Sequence, residues 1–291
     1  MLAIVLPKGS LEKQVLELFS AADLQVLRGG DRDYHARVDD PRINKVRFLR
    51  PQEIPTYVEQ GIFDLGISGR DWITETGADV VSLGEIGGGR AGEALVSVVL
   101  AVPKESPWQQ VSDLPDGVRI STEMPETTRR YLAEHGVKAK VFTSHGATEA
   151  KIPDIVDAIV DLTETGSSLR KAGLRILATL LTSRTELIAN REAYDDETKR
   201  AAMADLVVLL QGALRARGHV LLKLNVPADQ LEAVIDVLPA MASPTVMTLA
   251  AKDMRALETV VPKKGVNTLI PALKSAGACD ILELPITKIV E

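Results

Sequence analysis

The chain of 291 residues has one cysteine, few aromatic residues and no long apolar run. A lone Cys279 cannot form an internal disulfide, and this favours a reducing, cytoplasmic setting. No window approaches about 18 uninterrupted apolar residues, so we expect no membrane span. Because aromatic residues make up only 3% of the chain, the cores must be aliphatic, which favours strands of Val, Ile and Leu packed between helices.

The chain also lacks an excess of basic residues. Its formal charge is −6, with 34 Lys and Arg against 40 Asp and Glu. This balance argues against a nucleic-acid-binding protein with a wholly basic surface, although it leaves room for a local basic cleft. The four histidines, His35, His135, His145 and His219, are widely separated and show no paired spacing typical of a metal site.

Apolar and amphipathic segments alternate along most of the chain. The run 2–6 predicts a strand, and the spacing of Leu11, Val15 and Leu18 predicts a helix after it. The same alternation recurs as far as residue 189 and predicts parallel sheets covered by helices on both faces. We interpret the second group of strands as an insertion in the first, with the chain returning near residue 180. Residues 195–217 predict one long amphipathic helix.

The tail has the order βαββαβ, which is typical of a ferredoxin-like domain. Its predicted strands are 219–225, 245–250, 256–261 and 280–285, and its predicted helices are 228–238 and 268–276. The sequence therefore predicts three parts, which are a first lobe of residues 1–95 and 180–212, a second lobe of residues 96–179, and a small domain of residues 213–291.

The segment 157–169 is the most informative for function. An apolar strand carries Asp157 and Asp161, and the turn Thr165-Gly166-Ser167-Ser168 follows at the start of a short helix. Backbone N–H groups and small hydroxyls converge at such a turn and form an anion site, while the carboxylates suit sugar hydroxyls or a hydrated cation. Together they suit a ribose 5-phosphate. The alternative is an ordinary strand-to-helix turn in which Thr and Ser only cap the helix.

Several separated motifs resemble those of the ATP phosphoribosyltransferase family, and they occur in the family's order. The motifs are Leu6-Pro7-Lys8-Gly9-Ser10-Leu11, Arg50-Pro51-Gln52-Glu53-Ile54-Pro55, Asp64-Leu65-Gly66-Ile67-Ser68-Gly69-Arg70-Asp71, Gly146-Ala147-Thr148-Glu149, Asp157-Ala158-Ile159-Val160-Asp161 and Thr165-Gly166-Ser167-Ser168-Leu169. The resemblance runs through the whole chain and matches the family's long form.

This resemblance implies a two-lobed core like that of periplasmic binding proteins, with the site between the lobes, and a C-terminal regulatory domain that binds histidine. It implies transfer of the phosphoribosyl group of phosphoribosyl pyrophosphate to N1 of ATP, with Mg²⁺ entering on the pyrophosphate. It also implies a homo-oligomer, a hexamer or its dimers. A second hypothesis is a non-catalytic two-lobed sensor of nucleotides or phosphosugars.

Substitution at an anomeric carbon needs no covalent nucleophile, but it needs cations at the departing pyrophosphate. The resemblance assigns that role to Lys8 and Arg50. It assigns the 5-phosphate to Thr165, Gly166, Ser167 and Ser168, and the ribose hydroxyls to Asp161 and Glu149. The further substrate-binding candidates are Gly9, Arg32, Ser68, Gly69, Asp157 and Glu164, of which Asp157 could instead be a structural partner inside the strand. The histidine candidates are Asn225, Ser243 and Thr245.

Two departures from the family pattern are present. Ser10 stands where many members have arginine, and Gly87–Gly92 replaces a stretch expected near ATP. Three consecutive glycines permit a hinge or a close approach to a nucleotide. Around the motif arginine, the stretch 28–50 is locally basic, and we interpret Arg28, Arg37 and Arg42 within it as solvated surface charges.

Overall fold

The structure, a computed structural model, describes residues 1–30, 32–87, 95–239, 243–250 and 253–290. The chain forms two compact units, one of Met1–Ser20 with Leu24–Asp205 and one of Ala21–Asp23 with Leu206–Glu291. Among the described helices, none is long and apolar enough to cross a membrane.

Strands and helices alternate along both units. In chain order the strands are β1 (Leu2–Pro7), β2 (Val26–Leu27), β3 (His35–Val38), β4 (Ile43–Leu49), β5 (Leu65–Gly69), β6 (Val81–Gly87), β7 (Val96–Pro103), β8 (Arg119–Thr122), β9 (Lys140–Thr143), β10 (Ala158–Thr163), β11 (Leu174–Ser183), β12 (Thr185–Ala189), β13 (His219–Pro227), β14 (Thr245–Thr248), β15 (Met254–Pro262) and β16 (Cys279–Pro285). The helices are α1 (Glu12–Ala21), α2 (Ile54–Glu59), α3 (Arg70–Thr76), α4 (Pro125–Glu134), α5 (Ser167–Lys171), α6 (Arg191–Asp195), α7 (Glu197–Ala216), α8 (Leu231–Val237) and α9 (Val266–Ser275).

The first unit contains two sheets. One has seven strands in the order β2-β3-β4-β1-β5-β12-β6, and the other has five strands in the order β11-β7-β10-β8-β9. The chain leaves the first sheet after β6, builds the second sheet, and returns directly from β11 to β12. The predicted insertion is therefore present, and the return lies between Ser183 and Thr185.

Both sheets are mixed, so the prediction of parallel sheets is wrong. β1 runs parallel to β4 and β5, but β12 runs antiparallel to β5 and β6. In the second sheet β7 runs antiparallel to both β10 and β11. The antiparallel strands β7, β11 and β12 flank the two places where the chain passes between the sheets. Strands that are covered on both faces show a continuous apolar run in either direction, so the sequence pattern did not predict the direction of these strands.

Aliphatic cores hold the two sheets. In β1 the side chains of Leu2, Ile4, Val5 and Leu6 are buried, as predicted for a strand covered on both faces. Full burial of such a side chain contributes roughly 1.5–3 kcal/mol relative to leaving it exposed. Trp72 of α3 packs into the core of the second sheet, so this helix links the two sheets.

The second unit contains a four-stranded antiparallel sheet in the order β14-β15-β13-β16. Its chain order, β13-α8-β14-β15-α9-β16, confirms the βαββαβ prediction. Alternate residues of β13 are buried, among them Leu222 and Leu224, and they pack with Val234 of α8 and Leu273 of α9.

The predicted helix 195–217 is confirmed as α7, Glu197–Ala216, and the short helix α6 before it was not predicted. α6 ends at Asp195 and α7 begins at Glu197, because Asp196 takes an extended conformation with ψ 117°. Asn190 starts α6, since its side chain accepts a hydrogen bond from the Ala193 N–H at 2.9 Å.

Candidate active site

A cleft of about 510 Å³ in the first unit brings together residues from both sheets. This volume lies within the range of small-molecule sites. The residues that line it are Ser10, Leu11, Gln14, Pro51, Gly69, Asp71, Trp72, Val96, Leu162, Thr163, Glu164, Thr165, Ser167, Ser168, Ser183, Arg184 and Thr185. Five of the residues predicted from the sequence are among them, which are Gly69, Glu164, Thr165, Ser167 and Ser168.

The turn after β10 forms one wall of this cleft. Gly166 has φ +69°, a left-handed conformation, and its N–H donates to the Thr163 Oγ1 at 2.8 Å. A Cβ at Gly166 would lie 3.0 Å from the Arg170 Nη1, so glycine suits both the backbone and the space. Thr163 is nearly buried and serves the turn, whereas Thr165, Ser167 and Ser168 are exposed toward the cleft.

Two aspartates of the same segment have different surroundings. The Arg119 guanidinium donates to both oxygens of Asp157, at 3.1 and 2.6 Å, and the Arg119 N–H donates to Oδ2 at 2.8 Å. These bonds hold the pKa of Asp157 below its usual range, with the side-chain bond from Arg119 as the largest cause. Asp157 is therefore a structural partner of Arg119, and it does not line the cleft.

Asp161 is the opposite case. Burial raises the pKa of this carboxyl, and the nearby charges of Glu149 and Glu123 raise it further, against a hydrogen bond from the Leu162 N–H at 2.8 Å. Glu149 is exposed on the single turn Thr148–Lys151. Glu123, which directly follows β8, was not identified from the sequence. None of these three residues is among those that line the cleft.

The amino-terminal turn places Lys8, Gly9 and Arg50 near one another. Gly9 has φ +104°, and a Cβ there would lie 3.3 Å from the Arg50 Nη1. Arg50 is exposed and makes no ion pair with any residue in the described ranges. The Lys8 ammonium donates to the Glu12 Oε1 at 2.9 Å. None of the three is a lining residue of the cleft, but their neighbours Ser10 and Pro51 are.

The interpretation of Arg28 as a solvated surface charge is wrong. Its guanidinium donates to the Glu12 Oε1, and its side chain is only 14% exposed. The Arg28 Cζ lies 5.1 Å from the centroid of the Phe48 ring, which is within the range of cation–π attraction.

Three other predicted positions have varied surroundings. Ser68 is fully buried, and its hydroxyl donates to the Pro51 carbonyl at 2.9 Å, which fixes a residue of the cleft wall. At Gly69 a Cβ would lie 1.9 Å from the Asp71 Oδ1, so only glycine fits there. Arg32 is exposed and is not brought to the cleft.

The cleft also contains a buried pair that was not identified from the sequence. The Ser183 hydroxyl donates to the Asp71 Oδ1 at 2.8 Å, and the Asp71 N–H donates to the Ser183 Oγ at 3.0 Å. Burial raises the pKa of Asp71. Asp71 belongs to the motif at residues 64–71, but nothing in the sequence pairs it with Ser183. Asp71 lies in α3 and Ser183 ends β11, so the two residues are far apart in the chain.

In the second unit, the three predicted histidine-binding residues lie around β15. Asn225 of β13 pairs with Ala256, and its side chain donates to the Asp280 Oδ2 at 2.9 Å. Thr245 of β14 pairs with Glu258, and Ser243 lies in the exposed stretch before it.

The glycine-rich segment 87–92 lies outside the described residues from Gly88 onward.

Two family models match the sequence. The model described as ATP phosphoribosyltransferase (HisG) matches residues 50–212, and the model of the HisG C-terminal domain matches residues 216–288. Relatives that align along nearly their whole length have the same family name. An ATP phosphoribosyltransferase from Desulforudis audaxviator (strain MP104C) is 50% identical over 291 residues, covering 99% of each chain. One from Pelotomaculum thermopropionicum is 47% identical over 289 residues, covering 99% of each chain.

One solved structure shares the fold over most of this chain. The ATP phosphoribosyl transferase (HisG:HisZ) complex from Thermotoga maritima aligns with a TM-score of 0.62 and 29% identity, covering 72% of this chain and 97% of that one. The predicted fold class is confirmed for an α/β core that contains two sheets and for a C-terminal antiparallel domain.

Proposed function

Because this chain belongs to the ATP phosphoribosyltransferase family, we propose that its cleft binds phosphoribosyl pyrophosphate by the turn after β10. The enzyme is a pentosyltransferase that carries out the first step of histidine biosynthesis, and its tail is the family's C-terminal regulatory domain. The observation that carries the assignment of the site is the set of exposed hydroxyls around a left-handed glycine on the cleft wall.

The sugar's 5-phosphate is the group that this turn suits. Thr165, Ser167 and Ser168 offer hydroxyl donors, and the N–H groups of the turn add to them. α5 has only five residues, so its dipole is short and the hydroxyls and turn N–H groups must supply most of the binding. Glu164 lies beside them on the cleft wall and is a secondary candidate.

Asp161 and Glu149 suit the ribose hydroxyls. Both lie near the carboxyl ends of strands of the second sheet, where ligands bind in open α/β sheets. A partly buried carboxylate accepts hydrogen bonds from sugar hydroxyls strongly, because little water competes for it. Such bonds also compensate the cost of keeping Asp161 ionised next to Glu149.

Arg50 and Lys8 suit the departing pyrophosphate. The reaction passes through an oxocarbenium-like state, so the protein acts by positioning two anionic substrates and by stabilising the charge that develops on the leaving group. Arg50 presents a planar guanidinium beside the close backbone approach at Gly9. That geometry suits bidentate binding of phosphate oxygens. Arg32 is proposed for the same anion from the resemblance alone.

Magnesium fits this arrangement as a partner of the substrate. The described residues contain no group of three His, Cys, Asp or Glu that would hold a metal ion. Mg²⁺ prefers phosphate oxygens and water with one or two carboxylates, and Asp161 and Glu149 are oxygen donors of that kind. When bound, the ion would neutralise charge on the pyrophosphate.

Regulation by histidine is proposed for the second unit, residues 213–291 in the domain division made from the sequence, with Asn225, Ser243 and Thr245 as the candidate contacts. The Asn225–Asp280 hydrogen bond supports this proposal, because it places an amide and a carboxylate together near the carboxyl end of β13. We also propose that the protein is cytoplasmic, which the single cysteine Cys279 supports. We propose that it forms a homo-oligomer, which membership of the family supports.

Arg50→Ala tests the assignment of the site. We expect kcat/KM for phosphoribosyl pyrophosphate to fall about 100-fold, in line with the loss of a charged group that stabilises a leaving anion. The measurement is pyrophosphate release with ATP, phosphoribosyl pyrophosphate and Mg²⁺, and a sensor without catalysis would release none. Arg37→Ala, an exposed arginine of β3, is the matched control and should keep wild-type kinetics. Wild-type kinetics in Arg50→Ala would contradict the assignment.

A further inference from the structure

Helix α3 packs against both sheets of the first unit. Trp72 is buried in the core that contains Val98 of β7, in the second sheet. The next residue, Ile73, is buried in the core that contains Val5 of β1, in the first sheet. The residue before them, Asp71, lines the cleft. The position of this one helix therefore relates one wall of the cleft to the other.

The end of α3 meets the start of α4, the helix that follows β8 of the second sheet. The first N–H groups of a helix have no partner within it, and the N-cap residue of α4, Met124, makes no side-chain capping bond. The carboxylate of Glu75 takes that place. Its Oε1 accepts a hydrogen bond from the Glu126 N–H at 2.9 Å, and its Oε2 accepts one from the Thr127 N–H at 2.8 Å. A side chain of α3 thus caps α4.

The reverse contact lies one turn further along α4. The Arg130 Nη2 donates to the Thr74 carbonyl oxygen at 2.9 Å, and Thr74 belongs to the last turn of α3, whose carbonyls have no partner within the helix. A carboxylate suits the positive start of a helix and a guanidinium suits the negative end. The two helices therefore cap each other, and three hydrogen bonds join an element of the first sheet to an element of the second.

We propose that Glu75 and Arg130 are positioning residues, which fix the distance between the two walls of the cleft so that one molecule of phosphoribosyl pyrophosphate reaches both. This inference rests on the proposed function, in which the turn after β10 binds the 5-phosphate and Arg50, after β4, binds the pyrophosphate. Neither Glu75 nor Arg130 lines the cleft, so each acts on the ligand through the position of the walls. A ligand that touches both walls gains affinity only when their separation matches its length.

The alternative is that the mutual caps only stabilise the fold. In that case removing a cap lowers the urea midpoint but leaves the affinity of the folded protein for every ligand unchanged. Three ligands separate the two roles. Ribose 5-phosphate carries the groups for the second sheet's wall, pyrophosphate carries those for the first sheet's wall, and phosphoribosyl pyrophosphate carries both.

Glu75→Ala is the test, with calorimetry in the presence of Mg²⁺. Phosphoribosyl pyrophosphate should bind about tenfold more weakly, while ribose 5-phosphate and pyrophosphate should each bind within about twofold of wild type. Glu126→Ala is the matched control, because Glu126 lies at the same helix start but forms its exposed ion pair with Arg129 inside α4. It should bind all three ligands as wild type. Wild-type binding of phosphoribosyl pyrophosphate in Glu75→Ala, or equal weakening of all three ligands, would overturn the proposal.

A second pair of variants tests the other cap. Arg130→Ala should weaken phosphoribosyl pyrophosphate severalfold and spare the two smaller ligands, whereas Arg129→Ala should bind as wild type. Wild-type binding in Arg130→Ala would remove that residue from the proposal.

Arg50→Ala distinguishes failure of the positioning role from failure of the proposed site. If Arg50→Ala leaves the binding of phosphoribosyl pyrophosphate unchanged, or if the wild type does not bind ribose 5-phosphate, the proposed site itself is refuted. If Arg50→Ala weakens binding and Glu75→Ala does not, only the positioning role is refuted.

Discussion

Asp157 and Asp161 show how neighbouring identical residues acquire different roles. Asp157 directly precedes β10 and forms an ion pair with Arg119, while Asp161 lies within β10 among Glu149 and Glu123. The pKa of the first carboxyl is lowered by its bonds to Arg119, and the pKa of the second is raised by burial and by like charge. The first carboxylate stabilises the fold, and the second costs stability when it is ionised.

The two Asn variants should therefore differ in sign. Asp157→Asn should lower the urea midpoint and keep kcat/KM within about threefold of wild type, because the cleft is untouched. Asp161→Asn should raise the urea midpoint at pH 7 and lower kcat/KM by about 100-fold, because it removes both the buried charge and the acceptor that we propose for the ribose. Unfolding followed by steady-state kinetics checks both.

The pH dependence of the urea midpoint is the control for the comparison of these two variants. The stability that Asp157 contributes is present above its unfolded pKa and is lost as the pH falls through its lower folded pKa. The cost of Asp161 appears as the pH rises from its unfolded pKa through its higher folded pKa. The gain from Asp161→Asn should thus vanish in acid, and a gain that persists there would contradict a role for its charge.

The sequence predicts some of these residues and not others for a physical reason. Thr165, Ser167 and Ser168 follow a strand within one short segment, so local order alone predicts that they share one turn, and this turn lines the cleft. The distinction between Asp157 and Asp161 depends on Arg119, and the burial of Arg28 depends on Phe48 and Glu12. Those contacts form only when separate strands assemble, and no local pattern encodes them.

At the scale of elements, strands were predictable where the pattern of apolar residues matches the burial of the strand's faces. β13 alternates buried and partly exposed residues, and β1 is apolar throughout because both its faces are covered. The short strands β2 and β3 were not predicted, since the charged segment around them carries no apolar alternation. The short helix α6 was also not predicted, because five residues are too few to show a helical period of apolar residues.

The turn between β10 and α5 is the element on which the proposed phosphate site depends. The strand ends and the helix begins within a few residues at the left-handed Gly166, whose N–H donates to the Thr163 hydroxyl. The same geometry that satisfies the turn leaves the hydroxyls of Thr165 and Ser168 on the cleft side. The structural and ligand-binding interpretations of this turn are therefore compatible, since different hydroxyls serve each.

At the scale of the whole molecule, two units have separate cores and separate family matches. A chain that ends at Arg217, directly after α7, should lose inhibition by histidine and keep part of its transfer activity. Initial rates of pyrophosphate release with and without histidine measure this. Equal inhibition of the shortened and full-length chains would contradict a histidine site in the second unit.

The most direct measurement of the central claim is a crystal structure with phosphoribosyl pyrophosphate and Mg²⁺ bound. We predict density for the sugar's 5-phosphate within hydrogen-bonding distance of Thr165, Ser167 and Ser168, and density for the pyrophosphate next to Arg50. An empty turn, with the sugar phosphate bound elsewhere in the cleft or outside it, would contradict the assignment of this site.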